Sequence, residues 1–586
     1  MSKGTGVKVR LSVMMFLQYA IWGAWLPLLW PFLTGHRGFT PSQVGDIFAI
    51  GAVGAIVAPF VAGQIADRYF STQRFLGISH ILGGVLVWQL ATLEGYWWFL
   101  GFSLVYSLIY SPTLSLTNSI SFHHLPNRDK DFGKVRLWGT IGWICVGIGI
   151  GQWLLHSHTV PRADAARSIL VERLSNEDER ARLLSQSRVV LTSGAAFDAV
   201  VNGTTMTFDA RVLPAESANA LKIEVGADST PSRVTLDIPA DDIKSITPLY
   251  STLAAPESDS SDDTSPTASP ADAMRALIES LQQAPDEAAR AGLLRDADAG
   301  ALVHPDLTAA RITRGQQEGM SGAFRVSAVL GIAMGIYCFT LPHTPPTRGR
   351  QKNATWQAIE QVRNSRGLLV LFLLLVPVSC IHQFYFVHTS GFLQSFQSRA
   401  ASTIDSVFGV GGGGLMTIGQ MAEIGVLALM PLLLPRLSRK ALLAIGLLAY
   451  AGRMAIFAYV GDIHAATGIA QVPILMVGVA LHGVCFGAFI FVSFVVVDEL
   501  TTKDVRASAQ SLFSLVIFGI GIIVGSKVAG DVASWAQKDG QMDYTRLFAV
   551  PMWASLGCLL FLIALFPRRP KAATLNATPE NASSSA

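Results

Sequence analysis

Twelve apolar stretches of about twenty residues recur along this chain of 586 residues, and nothing else limits its fold as strongly. A hydrocarbon layer about 30 Å thick is crossed by a helix of roughly 20 residues. Without water, the backbone N–H and C=O groups of such a segment are satisfied only within the helix itself. The stretches fall at 11–33, 44–66, 74–92, 97–120, 135–155, 322–342, 367–390, 406–433, 440–460, 471–497, 506–530 and 547–566. Apolar residues make up 51% and charged residues only 15% of the chain, which excludes an ordinary soluble multidomain enzyme. The first span follows a short basic tip (Lys3, Lys8, Arg10), contains Gln18, Trp22 and Trp25, and lacks a small-residue cleavage site. It therefore reads as a retained helix and not as a signal peptide.

The net charge of +3 conceals two populations. Residues 159–320 hold 15 Lys/Arg against 25 Asp/Glu, a balance of −10, while the remainder holds 29 against 16, a balance of +13. Short-loop Lys/Arg set orientation. The loops after spans two (Arg68, Arg74), four (Arg128, Lys130, Lys134), six (Arg348, Arg350, Lys352, Arg363), eight (Arg436, Arg439, Lys440) and ten (Lys503, Arg506) are basic, as is the tail at Arg568, Arg569 and Lys571. Both termini are thus expected in the cytoplasm of a bacterium, with a multi-pass chain in its inner membrane. The five cysteines all lie in apolar spans, with no disulfide or metal-thiolate spacing.

The acidic segment, 156–321, is expected to be a periplasmic α+β insertion. Helical patterns at 163–187 and 272–295 flank strand-like runs at 205–212, 221–225 and 233–238, and a Ser/Asp/Pro-rich strap at 255–270 reads as a disordered linker. The domain plan is 1–155 for spans one to five, 156–321 for the insertion and 322–343 for span six. A cytoplasmic linker at 344–366, spans seven to twelve at 367–567 and a disordered tail at 568–586 complete it. The expected fold is an all-α polytopic membrane protein of 6+6 helices plus the α+β insertion.

Glu423 is the residue most suggestive of chemistry. It stands with Gln420 in an otherwise uncharged run, 415–426, and a carboxylate at membrane depth is costly and usually functional. A spacing of three places both side chains on one helix face, directed either into a cavity or at a neighbouring helix. Gln18, Trp22 and Trp25 form one stripe of span one, suited to stacking or to packing. Pro112, Thr113 and Asn118 in span four suit interhelical hydrogen bonds. Arg136 is either a cytoplasmic anchor or, if its helix starts earlier, a cavity residue one turn from Thr140. Arg453 is a second buried cation and a candidate for a structural ion pair. His382, Gln383 and His482 are mid-membrane polar groups, Asp498 and Glu499 are gate or anchor residues, and Gly411–Gly414 reads as a packing or hinge element within span eight.

Gly63-Gln64-Ile65-Ala66-Asp67-Arg68 resembles the loop motif between spans two and three of the major facilitator superfamily. The strings 16–25, 111–114, 136–142, 420–423 and 506–510 together resemble the bacterial nucleoside:proton symporters of that superfamily. The resemblance covers about 1–155 and 322–570 and excludes the insertion. It implies a nucleoside pocket between the two six-helix halves and alternating access driven by proton entry. It also implies pocket roles for Arg136, Thr140, Trp143, Gln383, Gln420, Glu423 and Phe486, with Glu423 as the proton-coupling group and Gly63, Asp67 and Arg68 as a conformational latch. His482 stands where the family has Tyr and is assigned to the pocket as well. Phe386 and Gly487 replace a family Asn and Asp, which leaves open a sugar or another small polar metabolite as cargo. A non-transporting membrane sensor is the reading from another class. The expected partners are a nucleoside, protons and the lipid bilayer, with no nucleic acid, no cofactor or metal, no enzymatic activity and a monomeric state.

Overall fold

The computed structural model describes residues 3–61, 71–125, 128–192, 196–202, 205–214, 221–225, 232–237, 240–256, 269–344, 354–399, 403–502, 505–538 and 541–567. Gly63, Asp67 and Arg68 lie outside them, as do 257–268 of the strap and the tail from 568. Helices stand at all twelve expected places, and among the described residues ten are long and apolar enough to cross a membrane. The protein is a multi-pass membrane protein. The other two are Pro41–Val61 and Thr72–Leu90.

Spans one and five, two and four, and three and six pack together. Spans seven and eleven, eight and ten, and nine and twelve repeat the same pairing six helices later. Across the halves, span two meets span eleven and span five meets span eight, a pair of contacts that exchange under the same six-helix shift. This is an internal repeat of two six-helix halves. Small residues allow the crossings. At Gly45 a side chain would strike Ser526 and Gly530 of span eleven, and at Gly147 it would meet Thr417 of span eight. Trp97, Trp98 and Trp535 remain exposed at helix ends, where tryptophans settle at the membrane–water boundary.

Span eight differs from expectation. It begins at Gly413, not near 406, after a short helix Asp405–Phe408. Gly409, Gly411 and Gly412 adopt φ of 73°, 85° and 78°, a left-handed region that ends a right-handed helix and favours glycine. The Gln397 side chain holds this turn, donating to Asp405 and to the Gly409 carbonyl and accepting from the Gly412 amide. Gly411 and Gly412 therefore form a turn before the span, while Gly413 and Gly414 open the helix itself, where Gly414 packs against the Phe408 backbone.

Residues 159–315 form a second compact unit. Its six-stranded antiparallel sheet comprises β1 (Ser187–Leu191), β2 (Ala196–Asn202), β3 (Thr205–Pro214), β4 (Leu221–Val225), β5 (Ser232–Asp237) and β6 (Ile243–Pro248). The order is β4-β3-β2-β1-β6, with β5 also pairing β3. Each expected long helix is broken in two. Arg162–Leu174 and Glu177–Ser185 are separated by the Asn176 cap, and Pro270–Gln283 and Glu287–Asp296 by Pro285 and the Asp286 cap. Arg180 is buried because it closes the first break, donating to the Leu174 and Ser175 carbonyls at 2.6 and 2.9 Å.

Candidate functional site

A cavity of about 770 Å³ lies between the two halves. Arg136, Thr140 and Trp143 enter it from span five, Gln383 from span seven, Gln420 and Glu423 from span eight, and His482 and Phe486 from span ten. All eight residues picked from the sequence line this one space. Glu423 is the only carboxylate among its described lining residues and Arg136 the only arginine.

Arg136 reaches the cavity because its helix, Arg128–His158, starts two turns earlier than the apolar run does. Its guanidinium lies 4.0 Å from the centre of the Tyr19 ring, a cation–π contact that orients the planar donor fork. Arg136 and Glu423 act on each other electrostatically. Gln383 donates to Ser526 Oγ at 3.1 Å, which pins its amide to the wall. Gln420 Oε1 is buried without a hydrogen-bond partner among the described residues. His482 Nε2 stands 3.8 Å from Glu423 Oε2, with the histidine sealed and the carboxylate 19% exposed.

Two lining helices widen beside the cavity. Cys485–Phe491, which carries Phe486, and Val516–Ile520, next to the lining residues Ser514 and Leu515, are π-helical turns. Such turns insert a residue into a helix and swing side chains off the regular face, frequently at functional sites.

Trp22 and Trp25 line the cavity, but Gln18 does not. It is buried, donates to Thr113 Oγ1 at 3.0 Å and accepts the Tyr110 hydroxyl on its carbonyl at 2.6 Å, tying span one to span four. Arg453 finds rings in place of the expected carboxylate. It lies over Tyr385 and Tyr450 at 4.2 and 5.1 Å and donates to His482. Asp498 and Glu499 pair with Arg506 and Arg439 away from the cavity. Ser103, Ser107, Ser111 and Ser115 also line the cavity and were not singled out in the sequence. Their spacing of four places them on one helix face, a signal the sequence did contain. Gln510, Ser511 and Ser514 of span eleven were missed as well.

At the face where span two begins and span eleven ends, the halves are joined. Lys527 pairs with Asp46 at 3.1 Å, and Ser42 donates to Asp531 at 3.2 Å. At the same face, where span five ends and span eight begins, the Val410 amide donates to the Gly151 carbonyl at 3.1 Å, and Gln152 to the Ser406 carbonyl at 2.8 Å.

Two six-helix halves around a central cavity, joined at one face, make up the fold of the major facilitator carriers. The nucleoside H+ symporter family model matches residues 5–170 and 311–571, and the chain belongs to that family. The chain is 22% identical to xanthosine permease of Escherichia coli (strain K12), covering 96% of this chain and 95% of that protein. YegT of the same organism is 41% identical over 142 residues, 24% of this chain and 33% of YegT, so that match spans about a third of the relative. The crystal structure of the nucleoside transporter NupG superimposes with a TM-score of 0.60 at 18% identity, covering 96% of this chain and all of that one.

Proposed function

We propose that the protein imports nucleosides across a bacterial inner membrane together with protons, by alternating access. The observation that carries this reading is a single membrane-depth carboxylate, Glu423, in a cavity whose 770 Å³ suits a small polar solute. In this reading Glu423 takes a proton from the outer side, the protonated, loaded carrier closes and reopens inward, and loss of the proton to the cytoplasm resets it. Arg136, Thr140, Gln383 and Gln420 hold ribose hydroxyls and base edges, and His482 belongs to the pocket through its place beside Glu423. The orphaned Gln420 Oε1 is an acceptor for a solute donor. Trp143 and Phe486 stack on the flat base. Gly63, Asp67 and Arg68 are assigned to the latch from the sequence motif alone. Cytoplasmic termini follow from the basic loops, which places the 159–315 unit in the periplasm, and the carrier is taken to act as a monomer.

The test is accumulation of labelled uridine in proteoliposomes under an imposed proton gradient, with a panel of nucleosides and sugars as competitors. Glu423→Gln is expected to abolish uphill accumulation while counterflow exchange continues. If that variant still concentrates uridine, the coupling role is wrong; if sugars compete and nucleosides do not, the substrate class is wrong.

A further inference from the structure

Behind the cavity wall sits a group of side chains that the transport reading does not use. Arg453, of span nine, is wholly buried and does not line the cavity. Its Nη1 donates to His482 Nδ1 at 3.1 Å. Arginine has donors only and keeps its proton in proteins, so Nδ1 of His482 must be the acceptor and carry no hydrogen. The remaining ring proton then resides on Nε2, the atom that faces Glu423 Oε2 at 3.8 Å.

The groups around the ring lock this arrangement. Tyr385 stacks on His482 at 4.8 Å between centroids, and the Arg453 guanidinium lies over the Tyr385 ring at 4.2 Å. His382 stacks at 5.4 Å and bonds through Nδ1 to the Tyr450 hydroxyl at 2.7 Å, while Tyr450 lies 5.1 Å from Arg453. Among the described residues, Glu423 is the one carboxylate at the ring. Span seven supplies Tyr385 and His382, span eight Glu423, and span nine Arg453 and Tyr450, so each helix packed on His482 contributes to holding it.

We infer that Arg453 is a positioning residue for proton coupling, fixing His482 in the Nε2–H form so that it serves as a neutral donor to Glu423. The separation of 3.8 Å is longer than a hydrogen bond and closes with a small side-chain rotation when the carboxylate is charged. The proton is then carried by Glu423 alone, and His482 reports its charge state without sharing the load. This rests on the role proposed for Glu423, but its direct readout does not require transport.

That readout is nitrogen NMR of 15N-histidine-labelled full-length protein, with His482 assigned by its disappearance in His482→Gln. The expected spectrum shows an unprotonated Nδ1 and a protonated Nε2 across the pH range in which uptake operates. A protonated Nδ1, or a doubly protonated ring at the pH of maximal uptake, overturns the inference. Arg453→Met is expected to lower gradient-driven accumulation roughly tenfold relative to counterflow, the effect of losing one hydrogen bond to a charged group. Arg453→Lys, which keeps a charged donor, is expected to restore part of it. In a His482→Phe background, Arg453→Met is expected to add no further loss; an equal additional loss in that background shows that Arg453 acts elsewhere. Should Arg453→Met fail to fold, the Lys variant and the tautomer of the unaltered protein still decide the matter.

Discussion

At the scale of single residues, two kinds of contact set the affinity expected of the cavity. Phe486 presents a ring on a π-helical turn, and base–aromatic stacking is worth about 1–3 kcal/mol. Phe486→Ala is therefore expected to weaken uridine binding by roughly tenfold or more, read as the half-saturating concentration in counterflow. Arg136 differs from a generic cation because its guanidinium lies over the Tyr19 ring, 4.0 Å from the centre. Arg136→Lys keeps the charge but loses the stacked, two-pronged geometry, and is expected to raise the same concentration by about tenfold without abolishing exchange. Equal affinity in the Lys variant means that charge alone is used. The legibility of these residues was uneven. Glu423 and Gln420 stood out because a charge in an apolar run is costly. Arg453 was visible as a buried cation, and the i,i+3 rule could have given it Tyr450, but Tyr385 and His482 come from two other helices to which no spacing rule connects it.

At the scale of elements, the seal between the halves combines an ion pair with a backbone contact, and their expected strengths differ. Lys527 and Asp46 have side chains 48% and 37% exposed, and such pairs contribute about 0–1 kcal/mol. Asp46→Asn is expected to shift the closed–open balance by no more than about fivefold. Gly409 is another matter. Its φ of 73° disfavours any side chain, and the backbone of Gly151 occupies the place a Cβ would take. Gly409→Ala is expected to open this face more than Asp46→Asn does, measured as the distance between spin labels on the ends of spans two and eleven that carry Asp46 and Lys527. If the two variants shift it equally, backbone approach is not what holds the seal. The helices themselves were legible from hydropathy, since length and apolarity are local properties. The start of span eight was not, because positive-φ glycines read as apolar filler until the turn they form is seen.

At the scale of the whole molecule, the 159–315 unit has its own core of Leu170, Leu174, Met274, Ile278 and neighbours. Replacing it by a short linker is expected to leave insertion and part of the uptake intact. Complete loss of the protein from the membrane contradicts that. Its sheet has a pH dependence of its own. Burial disfavours the Asp198 charge, but hydrogen bonds and charges from Arg188 and then Arg182 outweigh this and hold the carboxyl below its ordinary range. The resulting stability is complete above the unfolded value of about 4 and declines as the pH falls through the lower folded value. Amide exchange over β1 and β2 in the full chain is expected to accelerate in that acid window and, in Asp198→Asn, to be faster already at neutral pH. By itself the sequence determined the number of spans, the polar insertion and the costly carboxylate, because each follows from the free energy of placing particular groups in hydrocarbon or water. Only the tertiary structure decided that the eight chosen residues, from four helices, share one cavity, that Gln18 faces a helix and not the solute space, and that Arg453 stands behind His482. Those outcomes depend on how helices distant in sequence cross, and crossing is set by close packing between halves rather than by any property of a single run.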